Sequence, residues 1–342
     1  MKRLQNTLYV TTANSYLSLD GENVVVFRDD EAVGRVPLHN LENIVCFGYR
    51  GASPALMGAC AERGIGLCFL TQHGRFLARI SGPVQGNVLL RKKQYEAFSS
   101  PESALPTARS IVLGKIYNAR WSLERLKRDH PMRVPVAEVE SAISQLVAAV
   151  ESLKTAGYDA LLGIEGSAAK AYFGVFNYFI LRNEDCFYFD GRSRRPPLDP
   201  VNAMLSFAYT LLGNEIAGSL ESVGLDPAVG CLHSVRPGRK SLALDILEEL
   251  RAPLADRFVI SQINLGAVRP DDFEKKENGA YYLNEDARKK FLAAWQKKKQ
   301  ETIVHPFLKE KIPWGLVGYA QAMLMSRYLR GDLDGYPPFL WR

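Results

Sequence analysis

The stretch GLCFLTQHGRFLARISGPVQGNVLLRKKQYEAF, Gly66–Phe98, changes character partway along, and that change decides the fold. GLCFL and RFLARI are short runs of β-type residues around the turn TQHG, so they read as two strands. SGPVQGN, Ser81–Asn87, gathers Gly, Pro and Ser and marks a linker. From Val88 onward apolar residues recur at steps of three and four, the helical period. A β region therefore precedes the linker and a helical region follows it.

Working outward toward the N-terminus, TLYV, YLSL and VVVF read as strands, with Asp20-Gly21 supplying the turn chemistry between the last two. Further strands are expected at Gly34–Pro37 and Asn43–Phe47. SPALMGACAERG has helical spacing and stops at Gly64, a suitable helix-ending glycine. In the other direction LLRKKQYEAF, ARSIVLGKIYNARWSLERLKR, VAEVESAISQLVAAVESL and VNAMLSFAYTLLGNEIAGSL are all helical in period. After about Ser261 helix mixes with a polar loop, ending in the lysine-rich NEDARKKFLAAWQKKKQ. There is no internal repeat or low-complexity tract. The expected class is α+β multidomain, divided at residues 1–82 (β domain with one helix), 83–104 (linker and connecting helix) and 105–342 (helical domain).

The 342 residues are 47% apolar and 23% charged, ordinary globular usage with enough apolar material for a sizeable core. A net charge of +6 leans toward a polyanionic partner. The cysteines Cys46, Cys60, Cys68, Cys186 and Cys231 are odd in number and lack CxxC spacing, so they read as small buried hydrophobes in a reducing compartment. MKRLQNTLYVTT has no apolar run of signal-peptide length, and no span approaches the roughly 18 apolar residues of a membrane helix. The expectation is a cytoplasmic protein with no membrane partner.

Two stretches carry candidate chemistry. In CLHSVRPGRKSLALDILEEL, Cys231–Leu250, Ser241 is placed to cap a helix striped by Leu242, Leu244, Ile246, Leu247 and Leu250. Asp245 shares a face with Glu248 and Glu249, which reads either as a solvated acidic face or, with His233 just upstream, as a site. In GIEGSAAKAYF, Gly163–Phe173, Glu165 stands before very small residues and is either a helix-start charge or a ligand. His39, His73, His130 and His305 sit at turns, where exposed or capping rings are expected. Glu165, His233 and Glu248, with Asp245 in reserve, form a mostly oxygen donor set. It suits Mg²⁺ or Mn²⁺ rather than structural zinc or a non-haem iron triad. Spacing alone does not bring the three together.

Basic clusters at 91–93, 191–195, 236–240 and 297–299, and Arg109 with Lys115 and Arg120, read singly as solvated faces and together as a nucleic-acid footprint. No Walker A loop, GxSxG elbow, HExxH or dinucleotide fingerprint is present, and the glycine-rich GYRGAS, Gly48–Ser53, lacks a P-loop lysine.

With these residues together, the chain resembles the CRISPR-associated integrase-nuclease family of spacer acquisition along essentially its whole length. GLCFL, GIEGSAAKAYF, DPVNAMLSFAYTLL and LHSVRPGRKSLALDILEELRAPLADR carry the resemblance, and NGAYYLNEDARKKF is similar to members from type I subtype C systems. The resemblance implies a β-sandwich-like N-terminal domain that makes a homodimer, and a helical catalytic domain. It implies metal ligation by Glu165, His233 and Glu248, with Asp245 in support, and Mg²⁺ or Mn²⁺ as cofactor. Arg251 falls where some relatives carry a lysine near the DNA, which implies a backbone contact, and Tyr172, Asn202 and Tyr209 match recurrent motif positions that place DNA or the ligand helix. Arg236, Arg239 and Lys240 of the basic turn complete the expected DNA contacts. The implied activity joins a double-stranded prespacer to the CRISPR repeat by 3′-hydroxyl attack, within a heterohexamer containing a small ferredoxin-like partner. The alternatives are a stand-alone metal-dependent nuclease on branched or single-stranded DNA and a non-catalytic DNA-binding scaffold.

Overall fold

Alternation of buried and half-buried residues in the first seventy positions builds two sheets around one core. In the computed structural model, which describes residues 7–342 apart from 13, 49, 73–75, 81–87 and 183–184, the strands are β1 (Thr7–Val10), β2 (Ser15–Asp20), β3 (Asn23–Arg28), β4 (Glu31–Pro37), β5 (Asn43–Phe47), β6 (Gly66–Leu70) and β7 (Phe76–Ile80). β2, β3 and β4 form an antiparallel meander. The other sheet has the order β1-β5-β6-β7, in which β1, β5 and β6 are parallel and only β7 is antiparallel. Parallel neighbours need a crossover, and α1 (Pro54–Arg63) supplies it between β5 and β6. Ser53 caps α1 by accepting the Leu56 amide at 3.2 Å, and Gly64 ends it at φ +67°. Leu17 and Val24 of the meander, Ile44, Cys46 and Leu67 of the second sheet, and Leu56 and Cys60 of α1 share one buried cluster, the sandwich-like core. The linker expected at Ser81–Asn87 and the turn histidine His73 lie outside the described residues.

The chain divides into two units, and the first takes in Leu283–Glu301 and Pro313–Leu316 along with these strands. The lysine-rich helix, set at 105–342 by the sequence reading, therefore belongs with the β unit. The reason is its apolar stripe: Phe291, Leu292 and Trp295 are buried, and Gln296 donates to the Thr7 carbonyl at 2.9 Å.

The second unit holds α2 (Val88–Ala97), α3 (Pro101–Asp129), α4 (Val136–Leu153), α5 (Tyr158–Gly174), α6 (Pro200–Ser222), α7 (Ser241–Leu250) and α8 (Arg257–Asn264); α9 (Glu285–Gln300) is the helix just placed in the first unit, and α10 (Val317–Arg330) returns to the second. α3 begins before the periodic stretch: Ser100 and Ser103 form a reciprocal cap, Pro101 suits the first turn, and Pro106 lies inside the helix. At 29 residues it runs about 44 Å at 1.5 Å per residue, long enough for α4, α5 and α7 all to pack on it. A π-helical segment, Arg251–Asp256, joins α7 to α8 around Pro253. Cys46, Cys60, Cys68 and Cys231 are buried and Cys186 is half-buried, and burial, reinforced by Cys68, pushes the Cys46 thiol up to about 11.

Candidate active site

Glu165 lies midway along α5 and is not a helix-start charge. Leu161, Ala168 and Tyr172 form the buried stripe of this helix, and Glu165 falls between them at steps of four and three. Gly163 and Gly166 both sit inside the helix, where packing on α3 and α4 outweighs their propensity cost of about 1 kcal/mol each. The helix packs on α3 and α4, and α3 in turn packs on α7.

α3 accordingly supplies the group that links the two carboxylates. The Lys115 ammonium pairs with Glu165 on one side and lies 2.7 Å from Glu248 Oε2 on the other. Its side chain is 14% exposed, Glu165 25% and Glu248 3%. Glu248 Oε1 faces Arg251 Nη2 at 3.0 Å and His233 Nε2 at 3.7 Å. Burial pushes the Glu248 carboxyl up, but Arg251, Lys115 and His233 outweigh it and hold its pKa at about 2. Glu248 is an anion beside two fixed cations.

Asp245, fully buried, ties the His233 loop to α7. Its Oδ2 accepts the Cys231 and Leu232 amides at 2.7 and 3.0 Å, and its Oδ1 accepts the His233 amide at 2.9 Å. The same Oδ1 lies 2.7 Å from His233 Nδ1. With Asp245 accepting at Nδ1, the ring's Nε2 is left facing Glu248. This close approach needs a glycine: a Cβ on Gly230 would meet Asp245 Oδ2 and come within 2.7 Å of the Leu242 amide. Ser241 does not cap α7; its hydroxyl donates to the Ser234 carbonyl at 3.1 Å, and Lys240 occupies the cap position without a side-chain bond.

The third acid, Glu249, faces away from Lys115. Its Oε2 accepts the Phe339 amide at 2.7 Å and Gln321 Nε2 at 2.9 Å, and Gln321 also donates to Tyr336 at 2.7 Å. Burial raises its pKa to about 8 against these bonds. On α3, Asn118 donates to the carbonyls of Glu249 and Phe339, both at 2.7 Å, and receives the Trp341 amide at 2.9 Å. The C-terminal segment is thereby fastened to the back of α7 and α3. His305, read as a turn histidine, does accept the Phe307 and Leu308 amides in a capping role. It is fully buried rather than exposed, because its other nitrogen meets Gln321 at 3.1 Å.

Of the residues expected at DNA, Tyr172 and Asn202 are turned inward. Tyr172 is buried and donates to Asp256 Oδ2 at 3.1 Å, as Tyr209 does to the other oxygen. Asn202 is fully buried and bonded to Asp199, Gly191 and Arg192. Arg251 lies over the Tyr209 ring at 4.7 Å besides pairing with Glu248, so it serves the site from inside. Arg109 donates to the Ala156 carbonyl and Arg120 pairs with Glu124, so these two do not form one basic surface with Lys115. Lys299 is buried, which removes it from the 297–299 cluster. Arg236 is exposed on the loop after His233, and Arg239 and Lys240 are half-buried. Arg239 reaches Ser234 Oγ at 3.2 Å and Lys240 reaches Asn214 at 3.2 Å.

Among the described residues no three His, Cys, Asp or Glu side chains already stand at metal-holding spacing; an ammonium stands between two of them instead. The donor set nevertheless fits a hard cation. Glu248 Oε2 is buried and receives no well-directed hydrogen bond, only the facing charge of Lys115. A positive group already occupies the space between Glu165 and Glu248.

The family model described as "CRISPR associated protein Cas1" matches residues 8–297. The chain belongs to the Cas1 family. It is 50% identical to "CRISPR-associated endonuclease Cas1 1" of Chlorobaculum tepidum and 50% identical to "CRISPR-associated endonuclease Cas1 2" of Rhodospirillum rubrum, covering all of each protein and all of this chain. Among solved structures it is similar to a chain of a "Cas6-RT-Cas1--Cas2 complex", with a TM-score of 0.83 and 25% identity over all of this chain and 36% of that one. A strand-rich N-terminal region followed by a helical domain is thus the Cas1 architecture, and the chain is a nuclease-type enzyme of this family. Among the described residues no helix is long and apolar enough to cross a membrane.

Proposed function

We propose that this Cas1 chain is a metal-dependent DNA endonuclease and integrase that joins prespacer DNA to the CRISPR repeat by 3′-hydroxyl attack on a phosphodiester. One observation carries the reading: carboxylates from α5 and α7 share the Lys115 ammonium, and the imidazole of the loop before α7 stands 3.7 Å from the second of them. Glu165, Glu248 and His233 Nε2 would hold Mg²⁺ or Mn²⁺. When bound, such an ion withdraws charge from the scissile phosphate and lowers the pKa of the attacking hydroxyl or water.

The chain's own residues do the rest. Asp245 keeps the imidazole proton on Nδ1, so Nε2 presents a lone pair to the site. Arg251, fixed on Glu248, adds positive charge beside the position where phosphate charge develops. Arg236, Arg239 and Lys240 follow His233 directly and supply a basic loop for the DNA backbone. The division of labour proposed for the units is dimerisation by the β unit and catalysis by the helical one. The assembly proposed is two homodimers bridged by a small ferredoxin-like partner; the solved complex in which a related chain occurs with Cas2 supports a Cas partner.

The test uses wild type, Glu165→Ala and His233→Ala with a prespacer duplex and a repeat-bearing plasmid, with and without Mn²⁺ and the partner. Joined product that vanishes in both variants is expected. Equal joining by the variants would sink the assigned site, and cleavage without joining would leave only the nuclease reading.

A further inference from the structure

Lys115 competes for the same oxygens that a metal ion needs. Its ammonium sits between Glu165 and Glu248 Oε2, while Arg251 covers Glu248 Oε1. Glu165 and Glu248 are already matched by Lys115 and Arg251, and Asp245 at His233 is one further carboxylate. Adding a dication to this cluster, with Glu248 almost fully buried, leaves excess positive charge in a region of weak screening. The ammonium and the ion also require the same carboxylate lone pairs, so both cannot hold their positions. The adjoining cavity, lined by Lys115, Ala168, Ala169, Tyr172, Glu248 and Arg251, has a volume of about 20 Å³. That is room for about one water, too little to take in a displaced ammonium with its hydration. The way out for Lys115 is past Glu165, the more exposed of its two partners.

We propose that Lys115 is a resident counter-cation, holding Glu165 and Glu248 in place without metal and turning to a DNA phosphate when the ion displaces it. Metal binding and DNA binding are then coupled. The ion alone must evict Lys115 without offering it a partner, whereas a phosphodiester at the site supplies one. Each ligand raises the affinity of the other by the same factor, as linkage requires. The inference rests on the metal-site reading above.

Mn²⁺ binding to the full chain, followed by titration calorimetry, tests it with and without a DNA duplex whose 3′ ends are dideoxy-terminated. Lys115→Met removes the charge and the donor, and Lys115→Gln keeps a donor without the charge. Both variants should bind Mn²⁺ about tenfold tighter than wild type in the absence of DNA. DNA should tighten wild-type binding by about tenfold and either variant by less than about threefold. The metal-free variants should melt below wild type and gain more from Mn²⁺ than wild type does. Mn²⁺ affinity equal to or weaker than wild type in both variants, or equal tightening by DNA in all three proteins, overturns the inference. Glu165→Gln separates this from failure of the site itself. If Glu165→Gln abolishes Mn²⁺ binding while the Lys115 variants leave it unchanged, only the counter-cation role falls. If wild type binds no Mn²⁺ that Glu165→Gln removes, the metal site falls and this inference with it.

Discussion

Replacing Asp245 by Asn changes almost no volume and should still disable the site. Four donors converge on the carboxylate: the amides of Cys231, Leu232 and His233 at 2.7, 3.0 and 2.9 Å, and His233 Nδ1 at 2.7 Å. An amide offers one acceptor oxygen and an NH₂ group. Whichever way it turns, two of the four donors face another donor in a fully buried position. Each loses a hydrogen bond to a charged acceptor at about 1.5–3 kcal/mol, so the helical unit should lose about 3–6 kcal/mol.

One relaxation is open to the variant. If the NH₂ turns toward His233, the imidazole can shift its proton to Nε2 and accept on Nδ1. That recovers part of the stability and removes the Nε2 lone pair from the site. Asp245→Asn should therefore lose joining activity and Mn²⁺ binding even where it stays folded. Urea unfolding followed by tryptophan fluorescence reads the stability, and nitrogen NMR of the imidazole reads the tautomer. A variant within about 1 kcal/mol of wild type, with Nδ1 still protonated and activity intact, would refute the keystone role given to Asp245.

Gly114→Ala should destabilise the protein by up to about 2 kcal/mol, seen as a lower melting temperature. Its Cβ would lie 3.1 Å from Glu249 Cγ and 3.2 Å from Pro338 Cβ, and overpacking costs more than the roughly 1 kcal/mol that alanine adds in a helix; a higher melting temperature would contradict the fit of α3 on α7. Burial holds the His305 pKa below its ordinary value, only partly offset by Gln321. The unfolded ring takes up its proton first as pH falls, so this contribution to stability is present above about pH 6.5 and is lost below it. Melting temperatures of wild type and His305→Gln between pH 8 and 5 should show a smaller acid loss in the variant, and parallel curves would count against it. At pH 8 a thiol reagent should modify at most one cysteine of the native protein quickly, the half-buried Cys186, because Cys46, Cys60, Cys68 and Cys231 are buried. Rapid modification of two or more would show that the cores are looser than their packing implies.

What the sequence made legible was local. The strands TLYV, YLSL and VVVF, the Gly64 helix stop and the helical periods after Val88 each rest on neighbours within a few residues, and each appears in the structure. Parallel pairing of β1 with β5 was not legible, because nothing near Thr7 specifies a partner at Asn43. The membership of α9 in the β unit depends on contacts with Thr7, almost the whole chain away. Lys115 carried a readable signal that went unused. It lies four residues from Ile111 and from Ala119, both buried, so it had to fall on the apolar stripe of α3 rather than on a basic surface.

The acids of α7 show where a correct pattern still gives too little. In SLALDILEEL the apolar residues cover one side of the helix and Asp245, Glu248 and Glu249 the other, which is the signature of a helix with one wet face. All three acids are buried nonetheless. Periodicity tells which side of a helix is polar, and burial of that side depends on what the rest of the chain lays over it. Here the Cys231–His233 loop covers Asp245, Lys115 and Arg251 cover Glu248, and the segment at Phe339 covers Glu249. Those covers differ in chemistry, so three like acids acquire three unlike roles. Four donors make Asp245 a fixed acceptor, two cations keep Glu248 an exchangeable anion, and burial, against its neutral donors, pushes Glu249 toward its protonated form. Since the partner and not the acid sets the role, exchanging Asp and Glu among these positions should cost more than the change in side-chain length alone.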